Sequence, residues 1–185
     1  MLLAVLAVLA AAACLAVGRA ASELGSGSGS PGAPGQATVV RVVDGDTLVV
    51  ELAGREVPVR LIGIDTPETV APGRPVECYG AEASDHLRAL APAGTAVRLE
   101  RDVEARDMYD RLLAYVYRSG DGLLLNRAQV DGGFAEADDH PPNTALRSEL
   151  HAAEAAARAA GAGLWSACGS ADVAVGPPPA RDTSG

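Results

Sequence analysis

The chain has 185 residues and a net charge of −9, and all fifteen of its basic residues are Arg. That length fits one compact domain with extended ends. The acidic balance argues against a broad electrostatic footprint on nucleic acid, which is usually basic, so an anionic ligand has to be met by a local site and a bound cation.

Residues 2–17 are an unbroken run of Leu, Ala, Val and Cys, ended by Gly18 and Arg19. The run exceeds most signal-peptide apolar regions and falls short of a comfortable membrane span. Small residues flank Arg19, as a signal peptidase requires. Residues 1–21 are therefore expected to be a cleaved signal peptide, with an uncleaved anchor or a lipoprotein at Cys14 as alternatives. Residues 22–36 are rich in Ser, Gly and Pro and read as a flexible linker. Residues 170–185, with three consecutive prolines from Pro177, read as a disordered tail. The folded body is 37–169, a usual size for one domain. The expected location is extracellular, or the outer face of the cell membrane if the leader is retained. Export puts Cys78 and Cys168, the two Cys of the body, in an oxidising compartment where a pair normally forms a disulfide. Without a Cys-x-x-Cys or a nearby His, a structural bridge is expected rather than a metal or nucleophile site.

Within the body, residues 38–43 alternate and are rich in Val, which predicts a strand. Asp44-Gly45-Asp46 is a turn, and 47–52 is the returning strand. A second turn at Ala53-Gly54-Arg55 leads to a third strand over 56–62, and the short connections make the three an antiparallel meander. Residues 64–76 read as a long loop. Residues 79–91 read as a helix with Ala83, Leu87 and Leu90 on one stripe, stopped by Pro92 and Gly94. Strands follow at 95–100 and 112–117, then a short helix at 124–130. Asn143 can cap a last helix with Leu146, Leu150, Ala153 and Ala157 on one face. Five short strands with inserted helices is an α+β pattern, and a small barrel is the economical way to hide them.

Charged residues gather at strand ends. Arg60 alternates with apolar neighbours and needs a partner, either a structural carboxylate or a phosphate. Asp46 and Asp65 are hard oxygen donors in tight backbone and suit Ca²⁺ or Mg²⁺, although Asp is also common in turns. Glu68 follows Pro67 in a loop, and Arg111 follows Tyr109-Asp110; neither means much by itself.

Together these clusters resemble the staphylococcal nuclease family and its secreted bacterial members. The matching text is Asp44-Gly45-Asp46-Thr47, Arg60-Leu61-Ile62-Gly63-Ile64-Asp65-Thr66-Pro67-Glu68, Tyr79-Gly80-Ala81-Glu82-Ala83, Tyr109-Asp110-Arg111, Asn143-Thr144 and Gly163-Leu164-Trp165. The resemblance implies an OB-fold: a five-stranded β-barrel with three helices. It implies a calcium-dependent endonuclease acting on DNA or RNA as a monomer and leaving 3′-phosphate ends. Asp46 and Asp65 would bind calcium through their side chains and Thr66 through its carbonyl. Glu68 would be the general base, Arg60 and Arg111 would hold the phosphate, and Tyr109 would touch a substrate phosphate. The chain departs from the family pattern between Glu136 and Pro142, where Asp138, Asp139 and His140 stand in place of aromatic rings, and at Met108, where a Lys is expected. Those losses keep open a second reading, a catalytically weak binding module tethered at the cell surface. His86 and His151 fall on expected helix exteriors and receive no role.

Overall fold

The computed structural model describes residues 35–69, 76–171 and 173–175. The expected leader, nearly all of the linker and residues 176–185 lie outside the described residues.

The meander forms as β1 (Gln36–Val42), β2 (Thr47–Leu52) and β3 (Arg55–Leu61). A two-residue strand, β4 (Ile64–Asp65), precedes α1 (Gly80–Leu90). Then come β5 (Ala96–Glu100), β6 (Leu112–Arg118), α2 (Leu125–Asp131) and a short β7 (Glu136–Ala137). The helices α3 (Arg147–Ala160) and α4 (Leu164–Ala167) complete the described order. The strands β1-β2-β3-β6-β5 close into a barrel, and β4 and β7 pair as a separate ribbon. The α+β class and the five-stranded barrel of an OB-fold are therefore present, with α4 and the ribbon as additions to the three expected helices. Closure leaves no strand edge in the barrel.

The β6 sequence shows why both faces of this strand are apolar. Leu112, Ala114 and Val116 enter the main core, while Leu113 and Tyr115 join Ile62 in a second cluster on the other face. Period-two alternation places them so. The same alternation sends Val59 and Leu61 into the main core and leaves Arg60 between them on the opposite side. The alternation then breaks at Gly63, where φ is 78°, a value that glycine adopts without steric cost. Ile64 consequently joins the main core rather than the face of Arg60 and Ile62.

Asn143 does a different job from the expected cap. Its side-chain Oδ1 accepts the Glu104 N–H (2.7 Å) and its Nδ2 donates to the Glu104 carbonyl (3.1 Å), tying the loop before β6 to the loop before α3. The helix starts four residues later, and its Leu150, Ala153 and Ala157 are buried on one face. Within the expected tail, the described residues 170, 171 and 173–175 are placed against the body. Ala171 is buried, and residues 173–175 pair with the segment before α1. Cys78 and Cys168 form a disulfide with Cα atoms 6.0 Å apart.

Candidate active site

Strand register assembles the site. Arg60 in β3 lies opposite Thr47 of antiparallel β2 on one side and Leu113 of parallel β6 on the other. The first register puts Asp46 beside Arg60, and the Asp46 carbonyl accepts the Leu61 N–H at 2.8 Å. The second puts Arg111, just before β6, near the same end of β3. Asp65 and Glu68 lie just beyond the turn that follows β3. One cavity of about 400 Å³ is lined by all seven residues singled out for chemistry: Asp46, Arg60, Asp65, Thr66, Glu68, Tyr109 and Arg111.

Arg60 is held by carboxylates at both ends of its fork. Its Nη1 lies 2.9 Å from Asp46 Oδ2 and its Nη2 lies 2.9 Å from Asp65 Oδ1. Nη1 also donates to the carbonyls of Leu61 (3.1 Å) and Ile64 (2.9 Å). A guanidinium carries five N–H donors, so capacity remains for an oxyanion. Asp46 is nearly buried, and its oxygens accept hydrogen bonds from Thr47 Oγ1 (2.9 Å), Thr66 Oγ1 (3.0 Å) and the Thr66 N–H (3.3 Å). That closeness depends on Gly45: a Cβ there would stand 2.8 Å from Thr66 Oγ1 and 2.9 Å from the Ala83 Cβ.

Arg111 sits on a tight turn organised by Asp107. The Asp107 carboxylate accepts from Arg111 Nε (2.6 Å), the Arg111 N–H (2.9 Å) and the Tyr109 N–H (3.0 Å). Burial pushes the Asp107 carboxyl up, but the Arg111 hydrogen bonds and charge outweigh it and hold the group below the usual carboxylate range. The Arg111 guanidinium lies 5.5 Å from the Tyr109 ring centre. Tyr109 is itself 71% exposed at the mouth of the cavity. The Glu68 Oε1 accepts the Thr69 N–H at 2.8 Å.

The oxygen donors fit a hard cation. Asp44 also lines the cavity, and burial together with the Asp46 charge pushes its carboxyl up to about 6. Carboxylates thus crowd here beyond what Arg60 and Arg111 neutralise, and a divalent ion relieves that crowding. Among the described residues no group of three or more His, Cys, Asp or Glu side chains is arranged to hold a metal by itself. Asp46, Asp65 and the Thr66 carbonyl are hard oxygen donors, the type that Ca²⁺ or Mg²⁺ takes.

Four further contributors have no role in the sequence reading, although Asp44 lies within the Asp44-Gly45-Asp46-Thr47 cluster. Asp44 carries the perturbed carboxyl, Asp107 holds Arg111, and Glu77 accepts the Glu68 N–H at 2.7 Å. Gln129 of α2 is fully buried, and its Nε2 donates to the Gly45 carbonyl (2.5 Å) and the Ala83 carbonyl (3.1 Å). Its Oε1 meets His86 Nδ1 at 2.5 Å, which places the proton on that nitrogen. His86 is thus no bare exterior residue; it also stacks on Phe134, with ring centres 3.9 Å apart. Gln129 carries no signal in the sequence, because Asn126 and Arg127 share its short helix. His151 stays at the surface, paired with Asp139 at 2.9 Å. A neighbouring cavity of about 410 Å³ shares Arg60, Tyr109 and Arg111 and is walled by Met108, Asp138, His140 and Pro141.

Comparison with known proteins agrees with the geometry. The family model described as "Staphylococcal nuclease homologue" matches residues 58–167. The thermonuclease of Staphylococcus hyicus is 38% identical over 128 residues, covering 69% of this chain and 74% of that protein. The thermonuclease of Staphylococcus intermedius is 39% identical over 127 residues, with the same coverage of each chain. Endonuclease YncB of Bacillus subtilis is 37% identical over 134 residues, covering 71% of this chain and 62% of its own length. With the family model covering more than half of its length and the barrel and cavity in place, this chain belongs to the staphylococcal nuclease family.

Proposed function

We propose that this chain is a calcium-dependent endonuclease that hydrolyses phosphodiester bonds of DNA, RNA or both and leaves 3′-phosphate ends. Hydrolysis of nucleic acid goes with its family and with the thermonuclease and endonuclease names of its relatives. The finer claims rest on one observation: two guanidiniums, a loop carboxylate and the Asp46, Asp65 and Thr66 donor set all face one cavity.

Each role follows from position and chemistry. Arg60 and Arg111 offer paired N–H donors to the phosphoryl oxygens, where negative charge grows as water attacks. Asp107 keeps the Arg111 fork from wandering. Glu68 takes a proton from the attacking water, whose oxygen forms the new bond to phosphorus. The P–O5′ bond breaks, and the leaving O5′ is protonated from solvent. Tyr109, at the mouth, reaches a neighbouring phosphate. Asp46, Asp65 and the Thr66 carbonyl would hold a calcium ion, which when bound polarises a phosphoryl oxygen. The cation and the two Arg offset the net charge of −9 at the one place where the substrate must sit. Met108, Asp138 and His140 give a base little to stack on, so substrate grip is weak and KM is high. The apolar leader and the disulfide support an extracellular location.

The test incubates the full chain with denatured DNA in calcium or in EGTA. Fragments are then extended by a polymerase before and after phosphatase treatment. Cutting only with calcium, and extension only after phosphatase, is the expected result. A folded chain that binds calcium and does not cut would turn the reading to the tethered binding module.

A further inference from the structure

The loop that carries Glu68 leaves the β4–β7 ribbon after Asp65 and reaches Glu77 just before α1. A general base must be held to within a fraction of an ångström, and a loop does that only if something grips it. Glu68 is gripped at both of its backbone polar atoms by one residue. The Glu77 carboxylate accepts the Glu68 N–H (2.7 Å), and the Glu77 N–H donates to the Glu68 carbonyl (2.8 Å). Glu77 is 8% exposed, so little water competes for these bonds.

Glu77 is in turn fixed by the C-terminal segment. It forms an antiparallel bridge with Ala174. On either side the Cys78 N–H donates to the Val173 carbonyl (2.6 Å) and the Val175 N–H donates to the Val76 carbonyl (2.8 Å). Cys78, the next residue, is bonded to Cys168 across 90 positions of sequence. The same segment also reaches the other end of the loop. Ala171 donates its N–H to Glu136 Oε1 (2.8 Å), and Glu136 in β7 lies opposite Asp65 in β4. One short stretch of chain therefore ties together the Asp65 and Glu77 ends of the catalytic loop.

We infer that Ala171 and residues 173–175, anchored by the Cys78–Cys168 disulfide, are a clasp and that Glu77 is the positioning residue through which it sets Glu68. This rests on Glu68 being the general base. Misplacing a catalytic group by about 1 Å costs on the order of a hundredfold in rate. Releasing the clasp therefore lowers kcat by ~10–100-fold and leaves KM within about twofold.

The experiment compares the full chain with chains ending at Val175 and at Ala171, each with Glu68 and with Glu68→Ala, below the melting midpoint of every variant. The chain ending at Ala171 keeps the disulfide and the buried Ala171, and its Tm checks that it stays folded. A Cys78→Ser/Cys168→Ser chain is the second variant. The chain ending at Val175 should cut like the full chain. The chain ending at Ala171 and the double Ser variant should lose kcat. In the Glu68→Ala background the same truncation should cost less than about twofold, because the group being positioned is gone. Glu77→Gln, which keeps an oxygen for the Glu68 N–H, should retain more kcat than Glu77→Ala. Equal losses in both backgrounds, or no loss on truncation, would overturn the clasp. Unchanged activity in Glu68→Ala of the full chain would instead overturn the role of Glu68, a distinguishable outcome.

Discussion

Replacing Gln129 with Met removes three hydrogen bonds, two of them buried, at nearly constant volume. The Gly45 carbonyl loses a 2.5 Å donor, the Ala83 carbonyl a 3.1 Å donor, and His86 Nδ1 a 2.5 Å acceptor. An orphaned buried polar group costs about 1–3 kcal/mol. The Gly45 carbonyl carries most of this. Ala83 lies inside α1, where the helix also supplies a donor, and half-buried His86 adds a smaller share. Volume is conserved, so little cavity cost is added. The sum is about 3 kcal/mol, equivalent to a fall in Tm of ~6–12 °C for a domain near this size. The assay is urea and thermal unfolding in EGTA, followed by calcium titration of the folded variant. Calcium affinity should fall as well, because Gly45 is the central residue of the turn that presents Asp46. A destabilisation below about 1 kcal/mol would refute the view that this bridge fixes the turn.

Asp107→Asn should lower kcat by about tenfold, since a charge-assisted bond of 2.6 Å to Arg111 becomes a neutral one. Its acid behaviour checks the same contact. A carboxyl held below its ordinary value of 3.8 contributes stability above that value and loses it as pH falls through the lower folded value. Wild type and Asp107→Asn should therefore differ in Tm above about pH 4 and converge in stronger acid, with a constant offset counting against the assignment. Arg60→Lys should stay folded and lose on the order of a hundredfold in kcat, because a point charge cannot span Asp46 and Asp65 and also fork to a phosphate. Recovery to within about threefold of wild type would show that charge alone suffices at this position.

Much of the barrel was legible because the barrel strands obey period two and their turns carry Gly and Asp. Alternation also marked Arg60 as a charge on an apolar strand, and that is where the carboxylates converge. What stayed hidden was contact between distant segments. Asn143 reads as a cap by its type and position, but it is spent on the Glu104 backbone, 39 residues away. His86 reads as exterior because its helix stripe is Ala83, Leu87 and Leu90; Phe134 and Gln129, which cover it, come from elsewhere in the chain. The C-terminal segment lacks apolar periodicity and reads as a tail, yet residues 173–175 pair with the segment before α1 by backbone bonds, which no side-chain pattern reports. Glu77 is silent in the same way: a carboxylate accepting a backbone N–H needs no motif.

Glu68→Gln probes the central claim most directly, because it removes the proton acceptor and little else. Full-length wild type and variant are compared on denatured DNA in calcium, with calcium binding and Tm measured alongside. Loss of a general base should lower kcat by ~10²–10⁴-fold with calcium affinity and Tm near wild type. Cleavage within a few-fold of wild type would contradict the account, and the proton acceptor would have to be sought elsewhere in the cavity.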